Sequence, residues 1–115
     1  MRVRGISLAV HARDDMLLIE RHLAAAGWGL NPLRSILYRD IDAVRLEFCD
    51  RKKDFGPTAV DALILHLTLA GEDQSLSPNK GWRSDSRLEF RATQADEVRR
   101  LYLLIDLKIR ESRST

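Results

Sequence analysis

Apolar and polar positions alternate with period two over residues 3–12, where Ile6, Leu8, Val10 and Ala12 interleave with Ser7, Ala9 and His11. That period predicts a strand with the first set on its core face. The period then lengthens. Met16, Ile19, Leu23 and Ala26 recur at helical spacing, and the run Ala24-Ala25-Ala26 favours helix. Asp14 and Asp15 suit the positive end of a helix dipole, and Gly27 suits a helix end with Trp28 folding back. Together these predict a helix over 14–26.

Beyond Asn31-Pro32, which stops a helix, residues 35–39 and 43–48 read as two short strands with Asp40 and Asp42 at a turn or bulge between them. Val44, Leu46 and Phe48 are expected to face inward and Arg45 and Glu47 outward. Residues 50–58 read as a polar loop. Residues 60–70 form the clearest strand, with Leu63, Leu65, Leu67 and Leu69 on one face and Ala62, Ile64, His66, Thr68 and Ala70 on the other. A strand apolar on both faces belongs in the middle of a sheet, covered on both sides. Residues 71–86 read as a long loop and 87–92 as a last strand with Leu88, Phe90 and Ala92 inward. Thr93 is placed to cap a final helix over 94–110, and 111–115 read as a frayed tail. The order β-α-β-β-β-β-α predicts an α+β fold, a mostly antiparallel sheet with two packed helices, as one domain over 1–110.

Composition narrows the function classes. With 115 residues, 44% hydrophobic and 31% charged, the chain suits one globular domain rather than a disordered segment. The longest apolar runs, Met16–Ile19 and Leu101–Ile105, are far short of the ~20 residues a membrane span requires. The start shows charge without a long apolar region, so no secretory signal is read, and a cytoplasmic location is expected. The lone Cys49 cannot form an internal disulfide. A net charge of +2, with Arg and Lys interleaved among Asp and Glu, singles out no acidic partner.

Candidate chemistry is sparse. His11 and His66 fall on the non-core faces of their strands. If those strands were neighbours, the two rings could approach as a metal or acid–base pair, with Glu72 or Asp61 the nearest carboxylate. The alternative is two partly exposed strand histidines. Arg51-Lys52-Lys53 with Phe55 suits phosphate contact with one stacking aromatic, the basis of a possible nucleic-acid role, and equally suits a solvated loop. Trp82 stands in the long loop, where a ring can tuck into the core, cover a pocket or anchor a partner. No glycine-rich phosphate loop and no cysteine-nucleophile pattern is present, so neither cofactor nor catalysis is expected.

The most informative segment is the last helix. Val98, Leu101, Tyr102, Ile105 and Ile109 form one apolar stripe, and Leu103, Leu104 and Leu107 are expected on the opposite side. A helix that is apolar nearly all round is buried on both sides. Either helix 14–26 packs over it or a second chain does. The expected function is therefore a small non-enzymatic binding or regulatory protein acting through protein contacts, as a homo-oligomer such as a dimer. Leu103, Leu104, Leu107 and Trp82 are its contact residues.

Two segments carry resemblances. Ile6 to Asp15 followed by Leu17 to Trp28 resembles the opening strand and helix of a vicinal oxygen chelate module. In that family the first metal ligand stands at the start of the opening strand, where this chain has Gly5 or Ile6. Arg34 to Leu46 resembles the strand-turn-strand segment of bacterial pleckstrin-homology-like domains, and Leu88 to Ala92 with the C-terminal helix resembles their ending. The first resemblance implies a helix after the opening strand; the second implies that Asp15 to His22 is a strand.

Overall fold

The computed structural model of this chain describes residues 1–22, 32–70 and 86–114. It contains two antiparallel sheets. The first holds β1 (Arg2–Gly5), β2 (Leu8–Ala12), β3 (Met16–Arg21) and β4 (Leu33–Leu37) in that order. The second holds β5 (Ile41–Cys49), β6 (Ala62–Leu69) and β7 (Arg87–Arg91), with a short helix α1 (Arg51–Phe55) between β5 and β6. A long helix, α2 (Ala95–Arg113), follows β7. The fold is α+β.

Residues 3–12 form a hairpin instead of one strand. Gly5 pairs with Leu8, and Ile6-Ser7 makes the two-residue turn, with Ser7 at φ 60°. Val3, Leu8, Val10 and Ala12 are buried, whereas Ile6 sits in the turn, half-buried. The expected helix over 14–26 is not formed where it is described: residues 16–21 are strand β3, paired on both sides. Asp14 and Asp15 occupy the turn that leads into it, closed by the Arg13 N–H donating to the Met16 carbonyl at 2.9 Å. A short apolar run fits either period, and two flanking strands decide between them. Leu17 and Ile19 point into the core as a strand requires. The remainder of that segment, 23–26, lies outside the described residues. The strand implied by the pleckstrin-homology-like resemblance therefore has its counterpart in β3, and the helix implied by the other does not.

The link between the sheets is a 3-10 turn at Tyr38–Asp40 with a bulge between Ile41 and Ala43, at the place where Asp40 and Asp42 suggested one. Tyr38 is buried there and donates its hydroxyl hydrogen to the Arg13 carbonyl at 2.7 Å. Burial first, then the charges of Asp15 and Asp14, push its phenol up to about 12.

β6 is the central strand of its sheet, as its two apolar faces required. Leu65, Leu67 and Leu69 enter the core, and Ala62 and Ile64 on the opposite face are also fully buried. One core joins both sheets to α2, which contributes Val98, Leu101, Ile105 and Ile109. At about 25 cal/mol per Å², each such aliphatic side chain contributes about 1.5–3 kcal/mol on burial. The helix starts later and ends later than its pattern predicted, at Ala95 and Arg113. Thr93 is not its cap. It lies in a 3-10 turn, and Gln94 accepts from the Arg91 N–H instead. No described helix is long and apolar enough to cross a membrane.

Candidate protein-contact surface

Helical spacing fixes what each side of α2 meets. Arg113 donates to the Ile41 and Asp42 carbonyls at 3.0 and 3.1 Å, so its flank lies beside β5. Tyr102 and Asp106 share that flank, since turns repeat every three to four residues. Lys108 lies 4.0 Å from Asp14, which places the other flank beside the β2–β3 turn. Leu104, one turn before Lys108, belongs to this second flank. It is half-buried against the core rather than on the back of the helix. Leu103 and Leu107, one turn apart, remain on the outermost face at 57% and 51% exposure. Two of the three expected outer leucines are thus outward. Of the helix expected over 14–26, residues 14–22 are described, and 16–21 belong to a sheet. The proposed contact Trp82 lies outside the described residues.

β5 forms one edge of the second sheet. Its inner face carries Val44 and Leu46, packed against the core, and Phe48, expected inward but 57% exposed at the strand's end. Its outer face carries Arg45 and Glu47, 3.2 Å apart. Among the described residues, side-chain hydrogen bonds reach the second edge of β5 only at the Ile41 and Asp42 carbonyls, from Arg113.

The outer face of this sheet is a polar cluster fixed by register. His66 stands opposite Arg45 on one side and Arg87 on the other, and diagonal to Glu47. Burial first, then Arg45 and Arg87, hold its imidazole below the ordinary value, with Glu47 pulling the other way. Burial pushes the Glu47 carboxyl up, but the hydrogen bond from Arg45 and the charges of His66 and Arg45 outweigh it and bring the group below its usual range. Glu89 binds two arginines: Arg51 donates to Oε2 at 2.7 Å, and Arg87 Nε lies 3.2 Å from Oε1. The hydrogen bond to Glu89 raises the Arg51 pKa, outweighing burial.

These contacts separate the residues singled out in the sequence. Arg51 is spent on Glu89. Lys52, Lys53 and Phe55 are exposed on α1, with Phe55 at 77%. The Asp50 carboxylate caps α1 by accepting from the Lys53 N–H. What was expected as a loop is thus one helical turn, and only a capping aspartate before the basic run marked it. His11 and His66 lie in different sheets. His11 Nε2 is 3.1 Å from Glu20 and His66 Nε2 is 3.5 Å from Glu47. Both nitrogens are buried without hydrogen-bond geometry to any described partner. Among the described residues, no three His, Cys, Asp or Glu side chains converge as a metal site.

This set of features defines an α+β domain with an open sheet edge beside a partly unpartnered helix. Compared with known proteins, the chain matches no family model, no curated protein and no solved structure.

Proposed function

We propose that this chain is a small non-enzymatic binding or regulatory protein that acts through protein contacts and associates with itself through the outer side of α2. The observation that carries this reading is the exposure of Leu103 and Leu107 on a helix whose opposite face is fully buried. Apolar side chains adjacent on a helix gain by leaving water, and a second copy offers the same pair. Sedimentation at micromolar concentration should show a dimer or larger species. Leu107→Glu should weaken it roughly tenfold or more, because a carboxylate would be desolvated in the contact. A wild-type monomer throughout would refute the reading.

A second reading, nucleic-acid contact, draws on Lys52, Lys53 and Phe55, exposed together on α1. So few cations imply weak binding with a shallow salt dependence. Lys52→Ser with Lys53→Ser should abolish any retention of RNA or DNA in a filter assay.

A further inference from the structure

We infer that two copies join edge to edge through β5, antiparallel about a twofold axis at Leu46, making one six-stranded sheet. The inference rests on the self-association proposed above and adds a second contact to it, the sheet edge.

The free side of β5 is a row of unsatisfied backbone donors and acceptors, a template for another strand. Seven consecutive residues of it, Ala43 to Cys49, make no backbone hydrogen bond to a described group on that side. An edge left so long and uncharged at its end is uncommon in a chain that stays alone, and Phe48 leaves an aromatic ring half in water there.

The sequence of β5 says which strand fits. Antiparallel neighbours stand opposite on the same face, so a twofold register pairs residues whose numbers have a constant sum. Centred on Arg45, the pairing sets Arg45 against its own copy. Centred on Glu47, it sets Glu47 against its own copy. Both put like charges directly opposite, which is destabilising. Centred on Leu46, every pair is complementary. Arg45 faces Glu47 of the second copy, and Glu47 faces Arg45. On the inner face, Leu46 meets Leu46, and each Val44 meets a Phe48. Ala43 meets Cys49 at both ends. A one-residue slip would move every side chain to the wrong face. The pairing stops where Asp42 is held by Arg113 and Asp50 caps α1.

A twofold axis perpendicular to the sheet keeps both inner faces on one side. The two α2 helices then lie under the same joined sheet, with the flanks that carry Tyr102, Asp106 and Arg113 turned toward each other. The outermost Leu103 and Leu107 face away from the sheet, so the edge is a contact separate from theirs.

The experiment reads geometry directly. Ala43→Cys adds a thiol opposite the native Cys49 of the second copy, within the Cα separation a disulfide spans. Within one strand the two positions are about 20 Å apart, so they cannot bridge internally. Mild oxidation should give a covalent dimer. Ala43→Cys with Cys49→Ala should not. In parallel, Glu47→Arg should weaken dimerisation roughly tenfold by setting arginines opposite each other, and Glu47→Arg with Arg45→Glu should restore it. If the wild type dimerises and Leu107→Glu separates it, but no cross-link forms and the charge exchange restores nothing, the edge pairing is wrong while self-association stands. If the wild type is monomeric, both fail.

Discussion

The two edges of the three-stranded sheet have opposite fates. β7 is sewn to the first sheet: the Ile6 N–H donates to the Glu89 carbonyl at 2.8 Å, and Arg21 donates to the Arg87 carbonyl at 3.2 Å. Its acidic residue, Glu89, is claimed by two arginines. β5 has nearly twice the length, yet among the described residues its free edge gains hydrogen bonds from a side chain only at its first two residues, from Arg113. The chain therefore satisfies one edge by folding, and the other is the edge proposed above to pair with a second copy. Backbone groups must find partners wherever water is excluded, so an edge covered in the monomer is a stability device and an open edge is a binding device.

Breaking the covered edge should have the largest effect. A Cβ at Gly5 would run into the Glu89 carbonyl oxygen and stand 2.9 Å from the Leu8 and Phe90 side chains. Gly5→Val should therefore cost about 3 kcal/mol, the upper range for overpacking, read by urea unfolding. A loss under about 0.5 kcal/mol would show that the seam between β1 and β7 is loose.

Next comes Glu89→Gln, which removes the carboxylate shared by Arg51 and Arg87, all three groups being partly buried. About 1.5 kcal/mol should be lost, typical of charge-assisted hydrogen bonds. Self-association should be unchanged, because Glu89 stands on the far strand from β5.

The smallest expected effect is the pH response of His66, which is about a quarter exposed. Its imidazole is held below its ordinary 6.5 in the folded chain. As pH falls through 6.5 the unfolded chain takes up the proton first. The contribution of neutral His66 is thus complete above 6.5 and is lost as pH drops toward the folded value. Glu47 acts lower: its lowered carboxyl adds stability above its ordinary 4.5 that is lost as pH falls through the folded value. Melting curves should show His66→Gln removing the upper window and also shrinking the lower one, because the His66 charge is one of the groups that lower the Glu47 carboxyl.

Much of the fold was legible because several segments obey a single period. β6 has leucine at every second position from Leu63 to Leu69, and α2 is long enough for its stripe of Val98, Leu101, Ile105 and Ile109 to exclude a strand. Residues 16–21 were not legible for the converse reason. Met16 to Ile19 is apolar at every position, so it satisfies both periods, and only pairing with β2 and β4 selects one. Asp14-Asp15 is likewise good chemistry for a helix start and for a tight turn. Of the proposed contact residues, the outward placement of Leu103 and Leu107 followed from helical spacing. Leu104 did not, since its flank depends on where the β2–β3 turn lies. The approach of His11 to His66 required β2 beside β6, and strand order is not written in alternation. The same ignorance hid the open edge of β5, although Arg45, Leu46 and Glu47 carried its complementarity all along.

The most direct test of the two-edge account is amide hydrogen exchange as a function of protein concentration. β7 amides should be protected equally in dilute and concentrated solution. The outward amides of β5 between Ala43 and Cys49 should exchange fast when dilute and slow as the protein reaches micromolar concentration. Protection of β5 that is the same at every concentration would contradict the account.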